Sequence, residues 1–446
     1  MTFHFRTLSV FAVGAIVVGT TPSGCSGLQD AAYAAPDPSS IDQEEVSRII
    51  SVLAADDMRG RQAFTEDARR AADFLEDEFE AAGLERFEGM DEYLQHFSVY
   101  STRTRSVRVV VDGMTLGDDQ VVARISAESL SWSTGDAQVV VVGPQDNPQQ
   151  MIFPRLRGGG STLILMHPDH REVFDNLGRF FSVPSRTAEI GGGGALVLAV
   201  VDASRAPSYE VEVSATVTEQ SLMNVVGMIP GRRSDEFVLF SAHYDHIGIR
   251  QEVDGDSIAN GANDDASGTT AVVTLARYFA ERGTPERTLL FAAFTAEESG
   301  GYGSQYFSTQ LDPDRIVAMF NIEMIGKPAV EGPNTAWITG FERSDFGSLL
   351  QEAVEGTEYS FYADPYPDQN LFYRSDNATL ARLGVPAHSI STTPIDVDPD
   401  YHQVSDHVET LDLVHMTNTI RAIAVGAERI VAGEATPTRV DPATVN

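Results

Sequence analysis

Residues 237–242 read FVLFSA, and residues 288–294 read TLLFAAF. Each is a short, almost continuous apolar run, which is typical of a strand buried on both faces of a sheet. Residues 268–282, between them, have the apolar periodicity of a helix. A third apolar run, VAMFNI at 317–322, continues the alternation of strands and helices. The sequence therefore predicts an α/β fold with an open, mostly parallel (mixed) sheet and helices on both faces.

The segments before this core differ in texture. Residues 41–84 look helical, with an amphipathic face at Val46, Ile49, Ile50 and Leu53, and a second helix is expected from 68 to 82. Short β-branched runs and turn signals then indicate a β-rich insertion. The predicted organisation is an export signal at 1–35, the first part of the main domain at 41–100, the insertion at 101–216, the rest of the main domain at 217–435 and a tail at 436–446.

Two motif-like pieces of the insertion are interpreted as loops. The glycine clusters at 158–160 and 191–194 fit neither a P-loop nor a dinucleotide fingerprint, so we interpret them as turns. The HPDH stretch at 167–170 is not H-E-x-x-H, and its proline opposes a zinc-binding helix. Neither piece predicts a site.

The charge balance excludes one class of partner. The 446 residues include 65 acidic and 31 basic ones, for a net charge of −34, and Lys327 is the only lysine. Binding to nucleic acid depends on Lys and Arg contacts to phosphate, so no nucleic-acid partner is expected. The acidic surface fits a protein kept soluble by its carboxylates, and a genome-wide preference for Arg over Lys fits the scarcity of lysine equally well.

The N-terminus has the features of an export signal. Arg6 precedes the apolar run at 8–19, which is too short for a helix that spans a membrane. Two processing sites follow: a degenerate lipoprotein box that ends at Cys25, and an A-x-A-like site at 32–34. The sequence predicts an exported protein, either anchored in the cell envelope or periplasm by a lipid at Cys25 or released by cleavage. As the only cysteine, Cys25 has no partner for an intrachain disulfide.

Possible metal ligands follow each apolar run. A single acidic residue at a strand end is usually a solvated cap, but here several occur in order at three strand ends. In such sheets ligands bind beyond the carboxyl ends of the strands. The residues at these ends and on the neighbouring loops are His243, Asp245, Asp264, Glu297, Glu298, Glu323, Tyr401 and His402.

This composition suits a pair of zinc ions. Zinc binds imidazole nitrogen and carboxylate oxygen where thiolate is absent, and two ions about 3.5–4 Å apart need a bridging carboxylate. Asp245 is placed to accept the second ring N–H of His243, and Glu297 is placed to act as general base. The five expected ligands of two Zn²⁺ are His243, Asp264, Glu298, Glu323 and His402.

The motifs, in order, are HYDH, GANDDASG, TAEESGGYGS, NIEMIGK and YHQVSD. Together with the opening segment LAADDMRGRQAF, this order resembles the co-catalytic zinc aminopeptidases, family 28 of the metallopeptidases. The resemblance covers most of residues 41–431 and is weakest over the insertion, which in relatives holds a small protease-associated lid. It implies an exopeptidase that hydrolyses the N-terminal bond of peptides with a free N-terminus.

The resemblance also implies individual roles. Asp264 matches the bridging ligand, and Glu297 matches the general base. Glu298 and His402 would complete one zinc site, and His243 and Glu323 the other. Asp245 matches the carboxylate behind the first histidine, and Tyr401 matches a tyrosine that in some relatives polarises the scissile carbonyl. The sequence departs from the family at Glu323, where many members have Asp, and at Asn377, where many have His.

Three alternatives stay open from the sequence. A glutaminyl-cyclase-like aminoacyltransferase of similar fold would hold a single zinc ion. A dipeptidase or carboxypeptidase of the same fold would use the same ligands. A binding module without activity is the third alternative, although every expected ligand and base position keeps a suitable residue.

Overall fold

The computed structural model describes residues 33–157, 160–192, 194–203 and 207–445. Cys25 and most of the export signal predicted at 1–35 lie outside these ranges. The α-helices in the described ranges are α1 (Gln43–Leu53), α2 (Glu66–Ala81), α3 (Pro148–Arg157), α4 (Arg171–Phe181), α5 (Ser267–Ala280), α6 (Tyr302–Ser308), α7 (Phe346–Ala353), α8 (Asn377–Ala381) and α9 (Leu413–Val431). None of these helices is long and apolar enough to cross a membrane.

The strands form one large sheet, one sheet of four strands and a small hairpin. In chain order they are β1 (Glu85–Arg86), β2 (Leu94–Val111), β3 (Met114–Thr115), β4 (Val121–Ile125), β5 (Ser129–Ser133), β6 (Gln138–Val142), β7 (Ser161–Met166), β8 (Ser185–Thr187), β9 (Ala195–Val200), β10 (Tyr209–Ile229), β11 (Arg233–His243), β12 (Gly248–Val253), β13 (Asp256–Ala259), β14 (Arg287–Phe294), β15 (Ile316–Ile322), β16 (Thr335–Ile338), β17 (Ser360–Ala363) and β18 (Ala387–Ser391).

The large sheet has the order β17–β16–β18–β15–β11–β14–β10–β2–β3. Its centre is parallel, because β11 pairs with β14 on one side and β15 on the other, and β15 pairs with β18. Antiparallel pairs flank this centre, namely β10 with β14 and β16 with β18. The α/β fold with a mixed sheet, predicted from three apolar runs, is confirmed.

Helices cover both faces of the parallel centre. Along β11, Val238 and Phe240 pack in one core with α1, α2, α5 and α9, while Phe237 and Leu239 pack in the other with α6 and α8. Phe240 lies at the middle of the first core, 4.9 Å from the ring of Phe320. Because successive side chains of a strand point to opposite faces, a strand that is apolar throughout needs both layers of helices.

The N-terminal segment forms two helices, and the second, α2, lies where a second helix was predicted. In α1, Val46 and Ile50 lie on the buried face, as their spacing predicts. Thr65 caps α2 by accepting a hydrogen bond from the main-chain N–H of Asp67, at 3.2 Å. Between the two helices, residues 56–61 form a 3₁₀ segment that ends at the buried Arg61.

The insertion is joined to the large sheet by a long antiparallel ribbon. β2 and β10 pair from Leu94↔Val225 to Val111↔Tyr209, so the ribbon extends from the large sheet into the insertion. The predicted boundaries at 101 and 216 fall on this ribbon. The insertion is built around the four-stranded sheet β4–β9–β7–β6 and also contains α3 and α4, which the sequence analysis did not predict. The HPDH stretch forms a 3₁₀ turn, Pro168–His170, directly before α4.

One buried histidine of the large sheet makes the stability of the fold depend on pH. His388, on β18, is fully buried. Its Nδ1–H donates to the carbonyl oxygen of Thr339 at 2.8 Å, and its Nε2 accepts from the hydroxyl of Ser344 at 2.7 Å. Burial lowers the pKa of His388 to about 4. An unfolded histidine titrates near 6.5, so between these values the unfolded chain binds a proton that the folded chain does not.

We therefore expect His388 to destabilise the fold as the pH falls from about 6.5 to about 4, by up to about 3 kcal/mol. The His388→Asn variant should lose this part of the pH dependence. Urea unfolding of both proteins at pH 5 and pH 7 measures the difference, and the exposed His96→Asn variant is the control. An unchanged pH dependence in His388→Asn would contradict the assignment.

Candidate metal centre

The three central parallel strands bring the expected ligands to one edge of the sheet. His243 is the last residue of β11, Glu297 and Glu298 follow β14, and Glu323 follows β15. Asp264 precedes α5 on the connection from the hairpin β12–β13. Parallel strands end at the same edge, so residues up to 80 positions apart meet there.

The first group of ligand atoms surrounds His243. Its Nε2 lies 3.3 Å from Oδ1 of Asp264 and 3.3 Å from Oε1 of Glu323. One atom from each residue lies within 4.8 Å of the other two, as the ligands of a single cation would. Ser375 donates a hydrogen bond from its hydroxyl to Oε2 of Glu323 at 2.5 Å, which holds the carboxylate in place.

The second group contains a residue that the sequence analysis missed. Nε2 of His402 lies 3.1 Å from Oδ2 of Asp264 and 3.2 Å from Oε2 of Glu298. Nδ1 of His246 lies 2.9 Å from Oε1 of Glu298 and 3.9 Å from Oδ2 of Asp264. Asp264 therefore presents one carboxylate oxygen to each group, which is the geometry expected of a bridging ligand.

Buried polar atoms of the second group lack hydrogen-bond partners and are suited to bind a cation. Among the described residues, Nδ1 of His246 and Oε1 of Glu298 are buried without a hydrogen-bond partner, although they lie 2.9 Å apart. Buried polar atoms in folded proteins are nearly always satisfied, and orphans that converge on one point indicate an unseen partner. Imidazole nitrogen with carboxylate oxygen is a donor set that Zn²⁺ binds. The residues present therefore fit a divalent metal ion.

The electrostatics lead to the same conclusion. Burial raises the pKa of Asp245 to about 7 and the pKa values of Asp376 and Asp406 to about 6. Burial also raises the pKa of Glu297 and of Asp265 well above their usual range, and the nearby Glu323 raises both further. The common cause is a concentration of carboxylates away from water. Cations bound at this place would stabilise their ionised forms.

A buried arginine holds the two segments that carry the ligands. Arg61 is fully buried and donates to four main-chain carbonyl oxygens, at distances of 2.6 to 2.9 Å. Two of these belong to Tyr244, next to His243, and to Gly261, three residues before Asp264. Burial lowers the pKa of Arg61 to about 10, which leaves the guanidinium charged at neutral pH. The acceptor residues are Leu53, Tyr244, Asn260 and Gly261.

Two further carboxylates fix the loop of Asp264. Asp406 accepts hydrogen bonds from the main-chain N–H groups of Asn263 and Asp264, at 2.9 and 3.1 Å. Asp265 accepts from the N–H of Met324 at 3.0 Å, which ties this loop to the end of β15. Both carboxylates lie inside quoted motifs, but their acceptor roles depend on contacts between distant segments.

Asp245 differs in detail from the prediction. Nδ1 of His243 lies 3.0 Å from the main-chain oxygen of Asp245 and 3.9 Å from its carboxylate Oδ1. The expected carboxylate acceptor is therefore wrong, because the turn after β11 brings the carbonyl closer to the ring. The carboxylate of Asp245 instead accepts the main-chain N–H of Glu297 at 3.1 Å. Asp245 thereby positions the predicted base directly.

Tyr401 lies at the mouth of an apolar cavity beside the first group. Its ring stacks on His402 with centroids 4.0 Å apart, and its hydroxyl accepts from Arg374 at 3.2 Å. Burial raises the pKa of Tyr401, so its hydroxyl stays protonated at neutral pH. The lining of the cavity includes Glu323, Met324, Trp337, Leu371, Ile395 and Tyr401.

Asn377 belongs to neither group of possible metal ligands. It is fully buried, donates to the carbonyl oxygens of Phe372 and Ala387, and accepts from Ser389. His246, by contrast, was visible in HYDH, since a second histidine three residues after the first can face the same loop. No local pattern distinguishes Arg61 from the other arginines of the segment at 59–70.

Comparison with known proteins gives matches to peptidases. Residues 224–426 match the model of peptidase family M28. A probable leucine aminopeptidase 1 of Trichophyton verrucosum is 28% identical over 239 residues, which is 51% of this chain and 63% of that protein. A probable zinc metalloprotease of Leptosphaeria maculans is 37% identical over 108 residues, 24% of this chain and 25% of that protein. The chain thus spans less than two thirds of the curated relatives it matches.

Solved structures share the fold. A zinc aminopeptidase from Bacillus subtilis superposes with a TM-score of 0.54 at 17% identity, over 89% of this chain and 97% of that one. An aminopeptidase from an Aneurinibacillus species gives a TM-score of 0.53 at 16% identity, over 92% and 97%. At these identities the likeness concerns the fold alone. Residues 224–426, which include all five expected ligands, therefore carry the likeness to peptidase family M28.

Proposed function

We propose that this protein is a metallo-aminopeptidase that binds two zinc ions and removes residues from the N-terminus of peptides. The observation that carries the proposal is the pair of imidazole–carboxylate groups that share Asp264 at the carboxyl ends of β11, β14 and β15. The names of the relatives, a leucine aminopeptidase and a zinc metalloprotease, support the same activity.

In this proposal His243 and Glu323 hold one ion, Glu298 and His402 hold the other, and Asp264 bridges them. His246 lies beside the second site, with its Nδ1 2.9 Å from Oε1 of Glu298. Its ring either coordinates that ion as a further ligand or fixes the carboxylate of Glu298. Both roles agree with its burial and with its unbonded ring nitrogens.

Two bound zinc ions would supply Lewis acidity, which polarises a carbonyl and lowers the pKa of water. Glu297 then accepts a proton from the attacking water and delivers it to the leaving amine. The charges of His243 and Glu323 act on the carboxylate of Glu297. The main-chain N–H of Glu297 donates a hydrogen bond to the carboxylate of Asp245. The protonated hydroxyl of Tyr401 is suited to donate to the oxygen of the scissile carbonyl.

The apolar cavity supports a preference among N-terminal residues. Trp337, Leu371 and Ile395 contribute apolar surface next to the ligand Glu323. A leucine-sized side chain placed there would be removed from water, which contributes about 1.5–3 kcal/mol for full burial. We therefore expect peptides that begin with a medium-sized apolar residue to be the better substrates.

The test is metal analysis together with hydrolysis of leucine p-nitroanilide. We expect two zinc ions per chain, loss of hydrolysis after treatment with a chelator, and recovery when zinc is added back. Removing one ligand should lower the stoichiometry, so His402→Ala is expected to retain one ion. His407→Ala is the matched control, because His407 lies in the same loop and its ring pairs with Asp256 at 3.2 Å, outside both ligand groups.

Other outcomes would select the alternatives. One zinc ion per chain with formation of pyroglutamate from N-terminal glutamine would identify a cyclase. Hydrolysis of N-terminally blocked peptides would identify a carboxypeptidase, and cleavage of dipeptides alone a dipeptidase. Zinc bound without turnover of any peptide would contradict the enzymatic proposal.

We also propose that the protein is exported. The support is the N-terminal sequence itself, with its apolar run at 8–19 and two candidate processing sites. Mass spectrometry of the protein from its native cells distinguishes the two routes, since a lipid on Cys25 identifies an envelope lipoprotein. A free N-terminus near residue 35 identifies a cleaved signal.

A further inference from the structure

The insertion contains a cavity whose charge is opposite to that of the molecule. The cavity opens to solvent. Three arginines line it, Arg124, Arg155 and Arg186, and no acidic residue is among the lining residues. In a chain with 65 acidic and 31 basic residues, such a concentration of positive charge is unexpected.

The three guanidinium groups have no carboxylate partner within 4 Å among the described residues. Arg155 donates from Nη1 to the main-chain oxygen of Met151 at 2.5 Å, and its Nε is buried without a partner. Arg186 donates from Nε only to the side chain of Gln220, at 3.3 Å. Like charges that share a cavity repel one another, so a bound anion would stabilise the three guanidinium groups.

Two of the three guanidinium groups pack on aromatic rings instead of pairing with carboxylates. The guanidinium of Arg186 lies 4.1 Å from the ring centroid of Phe64, and that of Arg124 lies 5.2 Å from Phe180. Stacking on a ring orients the planar group and leaves its N–H edge free to donate. Burial lowers the pKa of Arg124, a cost that a bound anion would offset.

The rest of the lining offers donors and close backbone. The hydroxyl of Thr187 is buried without a hydrogen-bond partner among the described residues. Gly160 and Gly194, from the two glycine clusters, approach so closely that a Cβ on Gly194 would lie 2.5 Å from the main-chain nitrogen of Gly160. Gly194 also has a φ of +69°. Glycine is required here because the two turns meet at the wall of the cavity.

We propose that the cavity lined by Arg124, Arg155 and Arg186 is a binding site for a small oxyanion, of the carboxylate or phosphate class. Its guanidinium groups bind the anion by charge-assisted hydrogen bonds, and the hydroxyl of Thr187 adds a neutral donor. The site is separate from the metal centre and does not depend on the proposed peptidase activity.

The experiment is isothermal titration of the full-length protein at low ionic strength with inorganic phosphate and, separately, with succinate. We expect saturable binding of at least one of them. In Arg124→Gln and in Arg155→Gln the affinity should fall by about tenfold or more, the loss of one charge-assisted hydrogen bond or more. Arg105→Gln is the matched control, because Arg105 is an exposed arginine of the same insertion that donates to Thr216 and does not line the cavity.

The two probes identify the class of ligand. If the cavity selects one oxyanion geometry, only phosphate or only succinate will bind. Thermal melting checks that each variant folds. If Arg155→Gln does not fold, Arg155→Lys keeps the charge, removes the planar fork and should bind more weakly than the wild type. Absence of saturable binding by the wild-type protein, or an equal loss in Arg105→Gln, overturns the proposal.

Discussion

The Glu297→Gln variant is expected to lose about 10³-fold in kcat while it keeps its zinc and its fold. Glutamine has the size of glutamate but cannot accept a proton from water, so only the proton transfer is removed. Glu297 is not among the groups of potential ligands around His243 and His246, which is why the metal content should not change. Zinc analysis and steady-state kinetics on leucine p-nitroanilide measure the two quantities.

The free energy of unfolding of Glu297→Gln is a second measurement of the role of Glu297. Burial raises the pKa of Glu297, so its ionised form is disfavoured in the folded state and a neutral side chain should not lower the free energy of unfolding. Glu342→Gln, at an exposed position, is the control for a charge change away from the centre. Activity close to that of the wild type in Glu297→Gln would show that another group accepts the proton.

The second large effect is expected at Arg61, where Arg61→Met should lower the free energy of unfolding by about 3–5 kcal/mol. Methionine fills part of the volume but leaves four buried carbonyl oxygens without the guanidinium that they share. Two of these carbonyls flank His243 and Asp264, so the affinity for zinc should fall as well. Urea unfolding of the zinc-loaded protein and zinc titration measure both effects.

Arg61→Lys separates charge from geometry. Lysine keeps the charge but offers a single ammonium in place of a planar fork, so we expect an intermediate loss. Arg103→Met, an exposed change on β2, should alter stability by no more than about 0.5 kcal/mol. If Arg61→Met were as stable as this control, the four carbonyl contacts would not hold the loops of the centre.

The anchoring by Arg61 also explains why the fold can place so many carboxylates together. The free energy cost of burying Asp245, Asp264 and Asp265 is offset by one buried guanidinium and, in the proposed holoenzyme, by the bound cations. The guanidinium of Arg61 contacts none of the expected ligands directly, because the acceptors of its four hydrogen bonds are main-chain oxygens. The carbonyl oxygen of Arg61 accepts from the main-chain N–H of His246 at 3.4 Å. Arg61 is a positioning residue, and its effect on metal affinity should exceed that of any exposed arginine.

Sequence alone determined the centre of the sheet and the composition of its edge. The apolar runs at 237–242, 288–294 and 317–322 predicted buried parallel strands, and the observed β11, β14 and β15 agree within a few residues at each end. A strand buried on both faces can be recognised from its own sequence, because it is a continuous apolar run. The rules of strand connection then restrict how consecutive strands can pair. Residues that directly follow those strands must then share one edge.

Other features depended on packing between segments far apart in the chain. The two helices of the insertion and the carbonyl acceptor of His243 left no local pattern. His246 was visible in HYDH, but its role depended on its contact with Glu298, 52 residues further along the chain. Arg61 and the three arginines of the anion cavity also have no periodicity that marks them. Only the tertiary structure decided these, because a side chain acquires such a role from the neighbours that folding brings to it, at distances that local sequence does not encode.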